Sequence, residues 1–447
     1  MSSSTVQPPA TPIYILRGHA AAIHALHIFN QNLRLVSADA DGWIIVWDLI
    51  FKRPVAVWKA HEGAVLEVKA FTLGSGRLTE IYTHGRDHKL RVWRFRVQDE
   101  EILQKSLPVD GSDQPTTSTQ SQTQIQPWLI HSLPVNALNF CTFSLFPLIP
   151  DESTQKTEEE QERTEISPSS SLIAVPNALN SGAIDLFHLP SERRICTIPT
   201  DPAMQTGMVM AAQLTRSPES NDLHVVAAYE DGHVMVFACR GVFQASKLLV
   251  DTTRNWKWEK LYMSRPHSQP VLSIDLVPSG EYFLSSSADA VLAKHPIPQL
   301  GTAGSNAREA PLKVVSTKHA GQQGLRVRSD GKIFATAGWD SRARVYSCKT
   351  MKELAVLKWH KEGCYAVAFA DVSSPAPAPA LDGNSSHTTT KEPQGNAKRD
   401  QEEGMIQRRG HEFSLAQVQR QRSLKVQNTH WLVAGSKDGK ISLWDIY

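Results

Sequence analysis

Short runs of alternating apolar and polar residues, each broken by a tight polar turn, recur along the chain. Leu35-Val36-Ser37-Ala38 predicts a strand, Asp39 to Gly42 a turn, and Trp43 to Trp47 the returning strand. Near the carboxy terminus Val433-Ala434-Gly435-Ser436, Lys437-Asp438-Gly439 and Lys440 to Trp444 repeat the scheme. Asp-Gly suits such hairpins because Gly tolerates positive φ and Asp bonds its local backbone. Upstream, a His precedes each of several alternating runs: His19 before Ile23 to Leu26, His61-Glu62-Gly63 before Val65 to Val68, and His360-Lys361-Glu362-Gly363. These runs are expected to be inner strands.

The recurrence has a fixed length. An Asp stands six residues ahead of an aromatic ring in Asp41…Trp47, Asp87…Trp93, Asp231…Phe237, Asp340…Tyr346 and Asp438…Trp444. Asp289…His295 and Ser181…Phe187 are weaker relatives, which makes seven copies. One four-stranded unit of roughly 40–45 residues per copy is the signature of a β-propeller. The expected fold is therefore all-β, a single seven-bladed WD-repeat propeller over residues 12–447. The chain ends at Trp444-Asp445-Ile446-Tyr447, one strand short of a last blade, while Ile13-Tyr14-Ile15-Leu16 has no blade of its own. The amino-terminal strand is expected to close the ring by pairing there.

Composition adds the interruptions. Residues 1–11 are Ser/Pro-rich and read as a disordered tail. Long insertions are expected at about 99–127, 145–170 and 371–428. The first holds a Ser/Thr/Gln/Pro-rich stretch (110–127), the second an acidic one (151–170) and the third Pro/Ala-rich and mixed-charge sequence. Such sequence buries too little apolar surface to offset ordering entropy, so disordered loops are expected, with a short basic helix near His411 to Lys425. Net charge is only +2, which makes no case for nucleic acid. No run reaches the roughly 18 apolar residues of a membrane span, and no signal core opens the chain. The five cysteines are scattered and form no C-x-x-C pair, as expected for a reducing compartment.

In the best copies the His, the turn Asp and the strand Trp suit a buried polar network bridged by Ser or Thr. The expected sets are His19/Asp41/Trp47, His61/Asp87/Trp93 and His360/Ser436/Asp438/Trp444. A catalytic constellation occurs once, whereas this one recurs from blade to blade, so it reads as structural. Gly435 to Lys440 is one residue short of a phosphate loop, Gly74-Ser75-Gly76 lacks the third glycine of a dinucleotide fingerprint, and His61-Glu62 has no second His four residues on. No catalytic, cofactor or metal residue is assigned. A propeller enzyme or ligand sensor would need convergent groups in the channel, for which His24, Glu67 and Asp275 are the candidates. Trp43, Arg86 and Trp339 flank hairpin turns and are the expected partner contacts, since Trp and Arg dominate binding energies. Packing between blades is the alternative for the two tryptophans.

The first two blades carry denser motifs: Leu16-Arg17-Gly18-His19, Asp41 to Leu49 (D-G-W-x-x-V-W-D-L), Arg53 to His61, and Thr83 to Trp93 (T-H-G-R-D-x-K-L-x-V-W). They resemble the fungal ASTRA-associated protein 1 family, as does Ala434 to Trp444. The resemblance implies a nuclear, non-catalytic scaffold subunit of the ASTRA complex. That assembly is associated with chromatin remodelling and with maturation of phosphatidylinositol-3-kinase-like kinases. Implied partners are the triple-T cochaperone subunits, a large kinase-like pseudokinase and RuvB-like AAA+ ATPases; no cofactor, nucleic acid or membrane is implied. Outside the resemblance, the fold alone also fits a ubiquitin-ligase substrate receptor or a G-protein β-like subunit. The basic pairs Lys398-Arg399 and Arg408-Arg409 make a poor import signal on their own.

Overall fold

Seven four-stranded antiparallel sheets form in the computed structural model, which describes residues 10–73, 76–107, 125–136, 141–148, 170–200, 204–217, 220, 222–244, 247–248, 256–299, 310–372 and 415–446. The first blade runs through Ile23–Phe29, Arg34–Asp39, Trp43–Asp48 and Arg53–Lys59, in that order from the channel outward. The inner strands of the next six blades are Val65–Leu73, Ser144–Pro147, Val209–Arg216, Val271–Leu276, Gln322–Val327 and Cys364–Phe369. Tyr14–Arg17 is the outer strand of the seventh, paired antiparallel with Lys440 to Leu443. The ring is closed as the chain ends required.

Apolar side chains gather between blades rather than within them. Leu16, Leu26, Leu35, Ile45 and Trp47 pack against Val433, Ile441 and Leu443 across the closing joint. Leu16 is 1% exposed, and a leucine buried to that degree contributes about 1.5–3 kcal/mol. Apolar contact thus adds to the strand pairing, which sets the register.

Parts of the expected insertions belong to the fold. The stretch 145–170 opens with an inner strand, Ser144–Pro147, while 149–169 lie outside the described residues. Within 99–127, the 3₁₀ helix Val97–Glu101 leads to Leu103, which is buried, and to Gln104, whose carbonyl accepts the Val57 N–H at 2.7 Å. This segment covers an outer strand edge that would otherwise be open to pairing. Within 371–428, the helix Leu415–Asn428 buries Val426, whose carbonyl accepts the Trp431 indole N–H at 3.0 Å. Residues 1–9, 108–124 and 373–414, where the tail and most of the disordered stretches were expected, lie outside the described residues.

The polar networks follow one directional rule with varying membership. In the second blade the Trp93 indole donates to Thr83 Oγ1 (3.1 Å), which meets His61 Nε2 (2.8 Å), while His61 Nδ1 meets Asp87 (2.8 Å). In the first blade the corresponding chain is Trp47 to Ser37 (2.8 Å), His19 (2.7 Å) and Asp39 (2.7 Å). Asp41, assigned to this set from its spacing, is exposed instead. The reason lies one register position away. Asp39 and Gly85 are equivalent, paired with the first inner-strand residues Ile23 and Val65. A Cβ on Gly85 would fall 2.2 Å from His61 Nδ1, so glycine lets His61 pass on to Asp87. Asp39 occupies that space, takes His19 itself and frees Asp41.

The seventh blade differs in another way. Ser436 donates to the Glu362 carbonyl at 3.1 Å and is not the bridge. The bridge is Ser442, which accepts from Trp444 (2.8 Å) and meets His360 Nε2 (2.9 Å). Ala434, at the position of Ser37 and Thr83, has no hydroxyl, and Ser442 is its cross-strand partner. His360 Nδ1 stands 3.6 Å from Asp438, an ion-pair separation.

The fifth blade carries His295 in the place of the tryptophan, and this does not cost it a polar network. It has a complete one: His267 meets Asp289 (3.2 Å) and Ser285 (2.8 Å), Ser285 meets His295 Nε2 (2.9 Å), and the Tyr262 hydroxyl meets His295 Nδ1 (2.9 Å). Burial holds the His295 imidazole well below its ordinary pKa, so the ring is neutral, with Nε2–H donating as an indole would.

Two outcomes test this account. Asp39→Ala is expected to destabilise by about 1–3 kcal/mol, because it strands a buried imidazole and two turn N–H groups, whereas Asp41→Ala stays within about 0.5 kcal/mol. Urea denaturation of both decides it; equal losses would return Asp41 to the network. The buried histidines also set an acid limit. Burial pushes the His27 and His84 pKa values down to about 3, whereas in the unfolded chain imidazole titrates near 6.5. The unfolded state therefore binds more protons between those values, and stability falls as pH drops below about 6.5. At pH 5 each contributes a loss on the order of 2 kcal/mol. A thermal midpoint measured from pH 7 to 5 should fall, and His84→Leu should shallow the slope; a parallel slope would refute the assignment.

Candidate functional site

Six of the seven inner strands begin with one paired residue and then a β-bulge. Register shifts fall at Ile23/Ala25, Val65/Glu67, Val209/Ala211, Val271/Ser273, Gln322/Gly324 and Cys364/Ala366. Bulges bend a strand and re-aim a side chain. The extra residues here are His24, Leu66, Met210, Leu272, Gln323 and Tyr365, and in the third blade, which has no bulge, Thr142 stands just ahead of the inner strand. All seven line one cavity of about 400 Å³ at the mouth of the central channel. The first residue of each inner strand pairs with the end of the second strand. The mouth therefore opens on the face that carries the second-to-third strand turns.

Below this ring lies charge. Glu67 and Arg326, from the second and sixth blades, form a 2.6 Å ion pair across the channel. Asp275 accepts the Val327 N–H at 2.7 Å. Burial pushes the Asp275 carboxyl up, and Arg326 opposes the shift. Burial also depresses the Lys69 ammonium against the pull of Glu67. For Arg326, burial alone would lower the pKa, but Glu67 and Asp275 overcome it and hold the guanidinium charged. Two acids and two bases sit together, so the floor is neutral as a unit. Sequence reasoning placed His24, Glu67 and Asp275 in the channel on scattered blades; it missed Arg326 and Lys69, which tie them together.

The three expected partner contacts occupy different settings. Trp339 is 49% exposed at the mouth. Its indole donates to Gln323 Oε1 at 2.8 Å, and a Cβ on Gly321 would lie 2.2 Å from its ring. Arg86 is exposed on the second-blade turn beside His24, whose pKa it helps burial to depress. Trp43 instead packs on the apolar cluster between the seventh and first blades. His267 was missed although it precedes Asp289 by 22 residues, the spacing of His19 and Asp41. Among the described residues no group of three or more His, Cys, Asp or Glu could hold a metal, and no helix is long and apolar enough to cross a membrane.

Removing one partner of the channel ion pair should cost about 3–5 kcal/mol, since Arg326→Met strands a buried Glu67. The double variant Glu67→Leu/Arg326→Met should be non-additive by about 1–3 kcal/mol. A denaturation cycle that came out additive would show that the two groups do not couple.

Comparison with known proteins places this geometry in a lineage. The sequence profile of ASTRA-associated protein 1 matches residues 12–444. The ASTRA-associated protein 1 of Aspergillus niger is 66% identical over 442 residues, covering 99% of this chain and 98% of that protein. That of Aspergillus flavus is 60% identical over 457 residues, with full coverage of both. The Schizosaccharomyces pombe protein of the same name is 32% identical over 376 residues, 80% of this chain and 93% of that one. The match takes in the closing strand, all seven inner strands and the mouth they form, and the chain belongs to the ASTRA-associated protein 1 family.

Proposed function

We propose that the protein is a non-catalytic scaffold subunit of the ASTRA complex. The observation that carries this reading is the extent of the family match, which spans the ring from its closing strand to its last tryptophan rather than a single repeat. A closed ring with a built mouth and loops on two faces suits the holding of protein partners. A net charge of +2 favours protein over nucleic acid as what it holds. On this reading it works in the nucleus, in chromatin remodelling and in the assembly of phosphatidylinositol-3-kinase-like kinases. Its partners there are triple-T cochaperone subunits, a large kinase-like pseudokinase and RuvB-like AAA+ ATPases.

Affinity purification of the tagged protein from its own nuclei, with mass spectrometry of what is retained, tests the assignment. Triple-T subunits with the giant pseudokinase are the expected result. Recovery of cullins or trimeric G-protein subunits in their place would overturn it while leaving the ring intact.

A further inference from the structure

Lysines gather around one turn at the joint between the fifth and sixth blades. The turn, Ser347 to Lys352, links the last two strands of the sixth blade. Lys294 and Lys313 come from the third and outer strands of the fifth. They are register partners, so two like charges stand directly opposite each other, an arrangement that destabilises a strand pair. Both reach across the joint to the turn. Lys294 Nζ donates to the Cys348 carbonyl at 3.4 Å, and Lys313 Nζ to the Thr350 carbonyl at 2.8 Å. Lys294 Nζ also lies 3.5 Å from the centroid of the Tyr282 ring. Burial depresses the Lys294 ammonium, and Lys313 adds to that effect while Glu281 opposes it. The turn itself supplies Lys349 and Lys352, both exposed. Exposed Lys332 is held beside them, since its carbonyl accepts the Cys348 N–H at 2.9 Å.

The acids of this corner do not neutralise it. Asp330 is bound by Arg328 at 2.7 Å, and Glu353 lies 3.5 Å from Arg344, which it shares with Asp340. Glu281 and, beyond Ser329, Asp371 have no ion pair among the described residues. None of the five lysines has one there either. With Arg328 and Arg344 included, seven cations stand against these five acids. Leu312 and Leu354, beside the cluster on the outer edges of the two blades, are 50% and 59% exposed.

We propose that this corner of the fifth and sixth blades is a docking site for an acidic protein segment whose carboxylates are interspersed with leucine or a similar apolar residue. The carboxylates relieve the repulsion between Lys294 and Lys313 and engage Lys332, Lys349 and Lys352. The apolar residues cover Leu312 and Leu354, to which a phosphate backbone offers nothing. Opposite charge steers the approach and makes association salt-dependent. Turns between the third and outer strands lie at the end of the blades away from the channel mouth, so this site is separate from it.

A fluorescein-labelled dodecapeptide, Glu-Glu-Leu repeated four times, tests the proposal when titrated with the purified full chain and read by anisotropy. It should bind, and raising salt from about 50 to about 200 mM should weaken it about fivefold or more. The Gln-Gln-Leu counterpart should not bind. Lys349→Glu with Lys352→Glu should weaken binding about tenfold or more, whereas Lys361→Glu with Lys437→Glu, on the opposite face, should change it less than about twofold. Thermal midpoints serve as the folding control; if the first pair unfolds, Lys349→Gln with Lys352→Gln decides instead. A single-stranded oligonucleotide of equal charge and phosphatidylserine vesicles should compete poorly. No binding, equal binding of the glutamine peptide, undiminished binding to a folded lysine variant, or stronger competition by oligonucleotide or vesicles would overturn the proposal.

Discussion

The antiparallel pairing of Tyr14–Arg17 with Lys440 to Leu443 is the constraint on which the other features rest. It joins the two chain ends in one sheet, so the seventh blade exists only when both are in place. Without it the first and seventh blades would each lose a neighbour, and Leu16, Ile23 and Ile441 would lose the apolar faces they share. The mouth depends on it too. His24 and Tyr365 come from the first and seventh inner strands and stand with ring centroids 5.9 Å apart, edge to face, across the closing joint. An open ring would separate them. Stability and the candidate site are thus two consequences of a single strand pairing.

Within the blades, what recurs is a direction of donation rather than a set of residues. An indole or a neutral imidazole donates to a hydroxyl, the hydroxyl donates to a histidine, and the histidine donates to a carboxylate. The hydroxyl can come from the second strand, as Ser37, Thr83 and Ser285 do, or across the pair, as Ser442 does. The carboxylate can sit in the turn, as Asp87 does, or one register position back, as Asp39 does. In the first, second and fifth blades every donor of the chain finds an acceptor, as burial demands, whereas in the seventh His360 Nδ1 stays 3.6 Å from Asp438. The sixth blade solves the problem differently. Its buried Arg344 reaches Asp340 directly, and His319 stays half outside at 3.9 Å.

This freedom explains what could be read in the sequence. The seven-fold recurrence, the strand–turn–strand pattern and the unpaired end strand all follow from spacing, and spacing is preserved because the blades must stack. Membership of a network is not a matter of spacing. Asp41 stands six residues before Trp47, in step with its counterparts, yet it lost its partner because position 39 carries an acid where position 85 carries glycine. Ser436 lay at a plausible distance from His360, but the pleat aims its hydroxyl at the Glu362 carbonyl. Register and pleat decide such cases, and both emerge only once the strands are paired. The Glu67–Arg326 pair was illegible for a stronger reason: 259 residues separate its members, and only the closed ring brings them together.

The same argument separates what is fixed at the floor of the channel from what is free to vary at its mouth. Glu67, Lys69, Asp275 and Arg326 compensate one another in a buried space, so removing or adding a charge there carries a desolvation cost of several kcal/mol. Such a group is fixed by the stability of the ring. The bulged positions above it bear no such load. Each is the extra residue of its strand, outside the regular pairing, so its side chain can change without breaking a ladder hydrogen bond. Leu66, Met210, Leu272 and Tyr365 are held at defined points by the fold, yet the fold does not need their particular chemistry. A surface held rigidly and chosen freely is the condition for a specific interface, and in this ring the bulges meet it.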